Sequence, residues 1–471
     1  MTSRTDVTNG PRSQVGDSVR IIFPIGMLGG GISEEPVARG ISLGADAIAV
    51  DGGSTDSGPH YLGAGVAKTS RGSLKSDLRT IIVAAQQAGI PVVVTTCGTS
   101  GTDSGVDWVA GIAEEIADEE TLSFTMARIY SELAHDTVLD AVTADRVAPL
   151  EPAGPLTAET VERCEHIVGL MGHAPIAAAL AAGADLVLTG RATDTASVAG
   201  IALGRGIAPG PTWHAAKTVE CGSQCTTDPL GGGVLVEIDD AGFSIHPLDD
   251  ASAATPMTVA AHMLYESADP FRLREPSGTL DTSAAVYTAV DDRVTRVEGS
   301  IFEEAAQATI KLEGAALGGY ETVSLVGIRD PHILEQMDAW LARFEGELHR
   351  RVRKHLGLER SEYDAELRAY GHNAVLGDLE PGGEPPREVG VLFRSRAADQ
   401  VTATAIAKIA NPLMLHLPLE GMTHLPSFAF ATSPAEMERG ATYEFVLQHT
   451  IAVDDESELF RTEYQEVAPR V

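Results

Sequence analysis

The sequence predicts an α/β fold, with a mainly parallel sheet in an N-terminal domain and a smaller α+β C-terminal region. Three observations predict it. Short apolar runs alternate with helix-period segments from Val19 to about Leu230. Two segments share one form, Gly-Ala-Asp, an apolar run, Gly, then Thr-Asp. They are Gly44-Ala45-Asp46-Ala47-Ile48-Ala49-Val50-Asp51-Gly52-Gly53-Ser54-Thr55-Asp56 and Gly183-Ala184-Asp185-Leu186-Val187-Leu188-Thr189-Gly190-Arg191-Ala192-Thr193-Asp194. The composition agrees: 44% hydrophobic residues, 5% aromatic and 48 glycines in 471 residues suit tight turns and two or three cores.

In chain order, residues 1–17 are polar and lack an apolar targeting segment, so they read as a disordered tail. Val19-Arg20-Ile21-Ile22-Phe23-Pro24 is the first strand, and Ser33 is placed to cap a helix that opens with Glu34 and Glu35. The apolar run ending at Val50 is the second strand. Leu74, Leu78, Ile81, Ile82 and Ala85 fall on one helical face within residues 73–89, and Gly89 suits the C-terminal cap. Pro91-Val92-Val93-Val94-Thr95-Thr96 is a third buried strand, followed by a helix over residues 106–120. Strands at residues 122–129 and 166–170 continue the parallel series, with right-handed crossovers.

Beyond Leu230 the texture becomes hairpin-like, at residues 234–238, 285–290 and 294–297. Helices are expected at residues 331–356 and 399–408, and Glu380-Pro381-Gly382-Gly383-Glu384-Pro385-Pro386 is a loop. The domains therefore read as 18–230 and 231–471.

Net charge is 34 minus 67, or -33, which repels phosphate backbones and anionic membranes, so no nucleic acid and no membrane partner is expected. Four cysteines in so long a chain fit a reducing, cytoplasmic setting rather than a disulfide scaffold. No window reaches the length of a membrane span. A homo-oligomer is expected.

In parallel α/β sheets ligands bind beyond the carboxyl ends of the strands, which is where the polar loops lie. Asp51 and Asp194 are the candidate general bases, and Asp51, Asp56 and Asp194 form a candidate set for Mg²⁺ or Mn²⁺, which suit carboxylates better than zinc does. Ser54, Thr55, Thr95, Thr99, Ser100 and Thr193 offer hydroxyls to a substrate. Serine, threonine and aspartate in such loops equally serve local turns. Arg191 at a strand end could grip a carboxylate or lock two loops through an acid. Glu220 is a candidate second acid/base, and His372, between Gly371 and Asn373, is the best placed loop histidine. Cys97 is a nucleophile only if a helix N-terminus lowers its pKa, and Cys221 and Cys225 lack zinc-ribbon spacing. The sequence carries no Walker loop, dinucleotide fingerprint or nucleophile elbow in its required context, so no cofactor is fixed.

The chain resembles the acyclic terpene utilisation AtuA-like family, long catalogued as a domain of unknown function. The resemblance rests on Asp51-Gly52-Gly53-Ser54-Thr55-Asp56-Ser57-Gly58-Pro59, Tyr61-Leu62-Gly63, Thr189-Gly190-Arg191-Ala192-Thr193-Asp194, Glu220-Cys221-Gly222, Leu264-Tyr265-Glu266 and Asp269-Pro270. It covers residues 19–330, with Gly52 standing where the family's loop usually has alanine. Tyr370-Gly371-His372-Asn373 and His416-Leu417-Pro418 resemble one branch of the family other than its terpene-pathway members. The resemblance implies a role in converting branched acids or acyl-CoA compounds, in the company of a small companion subunit.

The function expected from these residues is acid/base chemistry on a small carboxylate or acyl-CoA, as a lyase of the hydratase or dehydratase type. A hydrolase or isomerase using the same loops is the alternative, as is a non-catalytic metabolite-binding subunit.

Overall fold

Five parallel strands form the middle of a ten-stranded sheet, in the order Ser18–Phe23, Ala47–Asp51, Val92–Thr95, Leu186–Thr189, Phe124–Tyr130. The computed structural model describes residues 18–470, so the tail expected over 1–17 lies outside the described residues. Antiparallel strands extend the sheet on both sides. Val234–Asp239, Gly242–Pro247, Thr295–Glu298 and Val286–Ala289 lie beyond Ser18–Phe23, and Arg461–Val467 lies beyond Phe124–Tyr130. The protein is thus a mixed α/β fold, parallel only at the centre of this sheet.

Side chains along the parallel strands alternate between two cores. Ile21, Phe23, Ala47, Ala49, Val93 and Val187 enter one, and Ile22, Ile48, Val50, Val92, Val94 and Leu188 the other. This is the two-residue period of a strand, and with both faces covered the sequence reads as an unbroken apolar run. Full burial of a residue such as Ile48 or Val50 contributes roughly 1.5–3 kcal/mol. Glu34–Ser42, Arg71–Ala88 and Asp103–Glu120 cover one face with Val37, Leu78, Ile81, Val109 and Ile112. Ala174–Ala181, Ala196–Gly204 and Pro209–Val219 cover the other with Ile176, Val198, Ile201 and Val219.

Helix ends follow local chemistry. Ser70 accepts from the Ser73 N–H to open Arg71–Ala88, and Gly89, at φ +69°, closes it. Ser33 occupies the N-cap position of Glu34–Ser42 but its side chain makes no capping bond, contrary to expectation.

Two further expectations are corrected. Cys164–Gly169 does not extend the parallel series; it pairs antiparallel with Ala308–Ile328, a partner distant in sequence. The texture change after Leu230 marks a return to antiparallel pairing within the same ten-stranded sheet, not a domain boundary. The compact units are instead the residues up to Ala316 together with those from Phe445, and Leu317–Glu444. The chain leaves the first unit within Ala308–Ile328 and returns within Met437–Val453.

In the second unit, Tyr363–Tyr370 and Val389–Ala397 pair antiparallel, and Val389–Ala397 also pairs with residues 320–328. Val391 and Phe393 pack with Trp340 and Phe344 of the helix Met337–Leu356 and with Leu413 of Gln400–His416. The helix expected over 331–356 is divided, with Pro331–Leu334 as a separate turn. Among the described residues, no helix is long and apolar enough to cross a membrane.

Candidate active site

The carboxyl ends of Ala47–Asp51, Val92–Thr95 and Leu186–Thr189 bring three loops together. The Gly52 N–H donates to the Thr95 carbonyl at 2.7 Å, and the Thr96 N–H to Gly190 at 3.1 Å. The Cys97 N–H donates to Thr189 at 2.9 Å. Such close approach needs glycine. A Cβ on Gly52 would lie 2.7 Å from the Thr95 oxygen, and one on Gly101, at φ +68°, would lie 2.0 Å from the Arg191 nitrogen.

Asp51 ends its strand 6% exposed and accepts from the Thr95 hydroxyl at 3.0 Å. Burial, reinforced by the charge of Asp194, pushes its carboxyl well above the ordinary 3.8, against the opposing pull of Arg191. Arg191, 5% exposed, donates from Nε to Glu313 at 3.2 Å and from Nη1 to the Ala192 carbonyl at 2.9 Å, and its Nη1 lies 3.6 Å from Asp194. Glu313 also accepts from the Thr55 hydroxyl at 2.8 Å and from Lys311 at 2.9 Å. Burial alone would raise the Glu313 carboxyl, but Arg191 and Lys311 hold it down to about 2.

A second group of charges adjoins Asp194. Lys217 and Glu220, one helical turn apart, form a buried ion pair at the end of Pro209–Val219. Burial raises Glu220 to about 8 despite Lys217, and Asp194 adds to the rise. Glu275 accepts from the Thr195 hydroxyl at 2.9 Å, while its Oε2 is buried with no hydrogen-bond partner. Burial is the main reason its carboxyl also rises to about 8. Asp194 Oδ1 is likewise buried and without a hydrogen-bond partner. Burial is the largest cause of the raised Asp51, Glu220 and Glu275, and the charge of Asp194 adds to each, in a centre where five carboxylates (Asp51, Asp194, Glu220, Glu275, Glu313) face three cations (Arg191, Lys217, Lys311).

The structure therefore unites Asp51, Thr55, Thr95, Arg191, Thr193, Asp194 and Glu220, and corrects several expected roles. Arg191 takes the loop-locking role rather than a free grip on substrate, because its guanidinium is engaged by Glu313 and by the Ala192 carbonyl. Thr99 accepts from the Lys68 N–H at 2.9 Å, and Ser100 donates to the Tyr61 carbonyl at 3.3 Å, so both hydroxyls hold backbone. Ser54 donates to Asp56 at 2.8 Å and accepts from its N–H, an exposed local turn. Asp56 is thus engaged locally by Ser54, and among the described residues the group found with metal-ligand spacing is Glu220, Cys221 and His262 rather than Asp51, Asp56 and Asp194. His372 lies in the second unit, where its Nε2 pairs with Asp338 at 2.7 Å on the surface. Cys97 is fully buried and burial pushes its thiol up, the opposite of a nucleophile's need.

Sequence reasoning missed Lys217, His262, Glu275 and Glu313. The Lys217–Glu220 spacing of three on a helix was a usable signal. Glu275 ends a strand in a local hairpin with Gly278–Asp281 and Glu313 lies in a strand whose partner Cys164–Gly169 is remote, and nothing in either pattern marks them for the site.

Fold and site together define an α/β protein with an acid-rich centre at the carboxyl ends of its parallel strands. The model of the family described as acyclic terpene utilisation family protein AtuA matches residues 68–453, and the chain belongs to that family. The match runs well past the 330 expected from the motifs and takes in the whole second unit, but it starts at residue 68, so the Asp51–Asp56 loop that suggested the family lies outside it. Comparison with curated proteins finds no match.

Proposed function

We infer that this protein performs acid/base chemistry on a small carboxylate or acyl-CoA, as a lyase that adds or eliminates water next to a carbonyl. One observation carries the reading: Asp194 Oδ1, buried, free of hydrogen bonds and 3.6 Å from the Arg191 guanidinium, is electrostatically coupled to Asp51, a buried carboxyl biased toward its protonated form. An elimination needs one group to take a proton and another to give one, and Asp51, raised by burial, is suited to the second role.

In the dehydration direction, Asp194 takes the proton from the carbon next to the carbonyl. The C–H electron pair becomes the new double bond, and the C–O bond to the hydroxyl breaks. Asp51 gives its proton to the departing hydroxyl, which leaves as water. The enzyme ends with the proton on Asp194 and the charge on Asp51, and exchange with solvent restores both. Arg191 serves as a positioning residue, since its charge lies beside both aspartates and limits how far Asp51 is raised.

The test is turnover. Wild type and Asp194→Asn are compared, by proton NMR, on hydroxy- and dicarboxylates and their CoA esters. Acid/base groups supply roughly 10²–10⁴ in rate, and a loss of that size in Asp194→Asn with unchanged folding supports the assignment. Equal turnover by both proteins removes Asp194 from the chemistry.

A further inference from the structure

The geometry points to a binding site for one zinc-class divalent ion formed by Glu220, Cys221 and His262. A carboxylate oxygen, the Cys221 sulfur and a ring nitrogen of His262 lie within 4.8 Å of one another. Tetrahedral zinc with bonds of about 2.0–2.3 Å needs ligand separations of about 3.3–3.6 Å, a short closure for three side chains.

The second, independent observation is His262 itself. It is 5% exposed, and its Nε2 is buried with no hydrogen-bond partner. A buried imidazole nitrogen left unpaired is costly, and beside a thiol and a carboxylate the partner it lacks is a cation. The ring stacks on Tyr265, with centroids 5.5 Å apart and planes at 21°, which fixes its orientation.

The backbone supports the same arrangement. His262 ends the helix Pro256–His262, which packs against the turn Gly222–Cys225 that Cys221 opens. Gly222, at φ +61°, forms the bend, and a Cβ there would lie 3.0 Å from the Gly26 nitrogen. Glu220, at the end of Pro209–Val219, meets the ion from a rigid element.

The donor set also selects the metal. One thiolate, one imidazole and one carboxylate favour zinc or cobalt over Mg²⁺, which takes all-oxygen shells. Three protein ligands leave a fourth position open, the composition of zinc sites that bind a water or a substrate oxygen. Lys217 contacts Glu220 through Oε1, so its ammonium neutralises part of the same excess negative charge and is the internal competitor of the ion. This inference does not depend on the lyase reading, since it rests on different residues and is read without substrate.

The experiment titrates Co²⁺ alone into full-length, chelator-stripped protein and follows thiolate-to-cobalt charge transfer in the near ultraviolet. One equivalent with that band is expected, displaced by Zn²⁺ and untouched by excess Mg²⁺. Cys221→Ser should abolish the band, and His262→Gln should weaken binding at least about tenfold. Cys225→Ser, whose sulfur lies outside the set, should keep it. Circular dichroism melts show whether each variant is folded. Cobalt uptake without the band in wild type, or a band that survives in Cys221→Ser, overturns the site whether or not any variant misfolds.

Discussion

Arg191 donates from Nε to Glu313, 122 residues away, at 3.2 Å. This single bond ties a loop at the end of a parallel strand to the strand Ala308–Ile328, and it keeps a buried guanidinium compensated.

Glu313→Gln should therefore be among the most damaging single changes. Removing one partner of a buried ion pair typically costs about 3–5 kcal/mol, because the other charge is left uncompensated. Urea unfolding at neutral pH measures it, and a loss below about 1 kcal/mol would mean that Arg191 finds another partner. The pH dependence has a definite sign. The Glu313 carboxyl is depressed to about 2 from 4.5, so its contribution is complete above 4.5 and fades as pH falls toward 2.

Asp51 carries the opposite sign. Its carboxyl is raised, so the folded state binds a proton more tightly than the unfolded chain does. Its contribution is complete below 3.8 and is lost as pH rises through the folded value. Asp51→Asn should gain stability relative to wild type on the alkaline side and not on the acid side. Paired unfolding curves at several pH values show the crossing.

Gly101→Ala should distort the centre while leaving the helices intact. A non-glycine residue at a left-handed position costs roughly 1–2 kcal/mol by itself. At Gly101 the new Cβ would also meet the Arg191 backbone at 2.0 Å. Gly183→Ala is the control, since it too has positive φ, +92°, but meets nothing within 4 Å. The first variant should be clearly the less stable of the two by thermal melting.

His166 and Glu132 offer a spectroscopic check on the electrostatics. Their side chains meet at 2.6 Å, and that bond raises the His166 pKa above 6.5 despite partial burial. The His166 part of the stability is present below 6.5 and is lost as pH rises through the folded value, while the Glu132 part is present above 4.5 and is lost as pH falls through its lowered value. Glu132→Gln should bring the NMR titration of His166 downward.

The parts of this fold that were legible in the sequence are those governed by neighbours along the chain. The apolar runs at Ala47–Asp51, Val92–Thr95 and Leu186–Thr189 announce buried strands, and Ser70 and Gly89 bracket a helix whose buried face shows its period. The loops after those strands hold Asp51, Thr95, Arg191 and Asp194 close together, as their position at strand ends implied. Pairing at long range was not legible. Cys164–Gly169 reads like its parallel neighbours and differs only in its partner. Glu275 and Glu313 enter the centre from strands that no local pattern connects to it. The fate of Arg191 followed from that gap, because its locking acid could be named only once Glu313 was in place. Thr99 and Ser100 have the same chemistry whether they serve a ligand or a backbone N–H, and only the fold decides between the two.

The central claim is that Asp194 removes a proton next to a carbonyl. Incubation of wild type and Asp194→Asn with the carboxylate and CoA-ester panel in D₂O, read by proton NMR, tests it most directly. The account predicts deuterium at the carbon next to the carbonyl with wild type, and exchange slowed at least about 10²-fold in the variant. Undiminished exchange in Asp194→Asn, or turnover by wild type without any deuterium at that carbon, would contradict it.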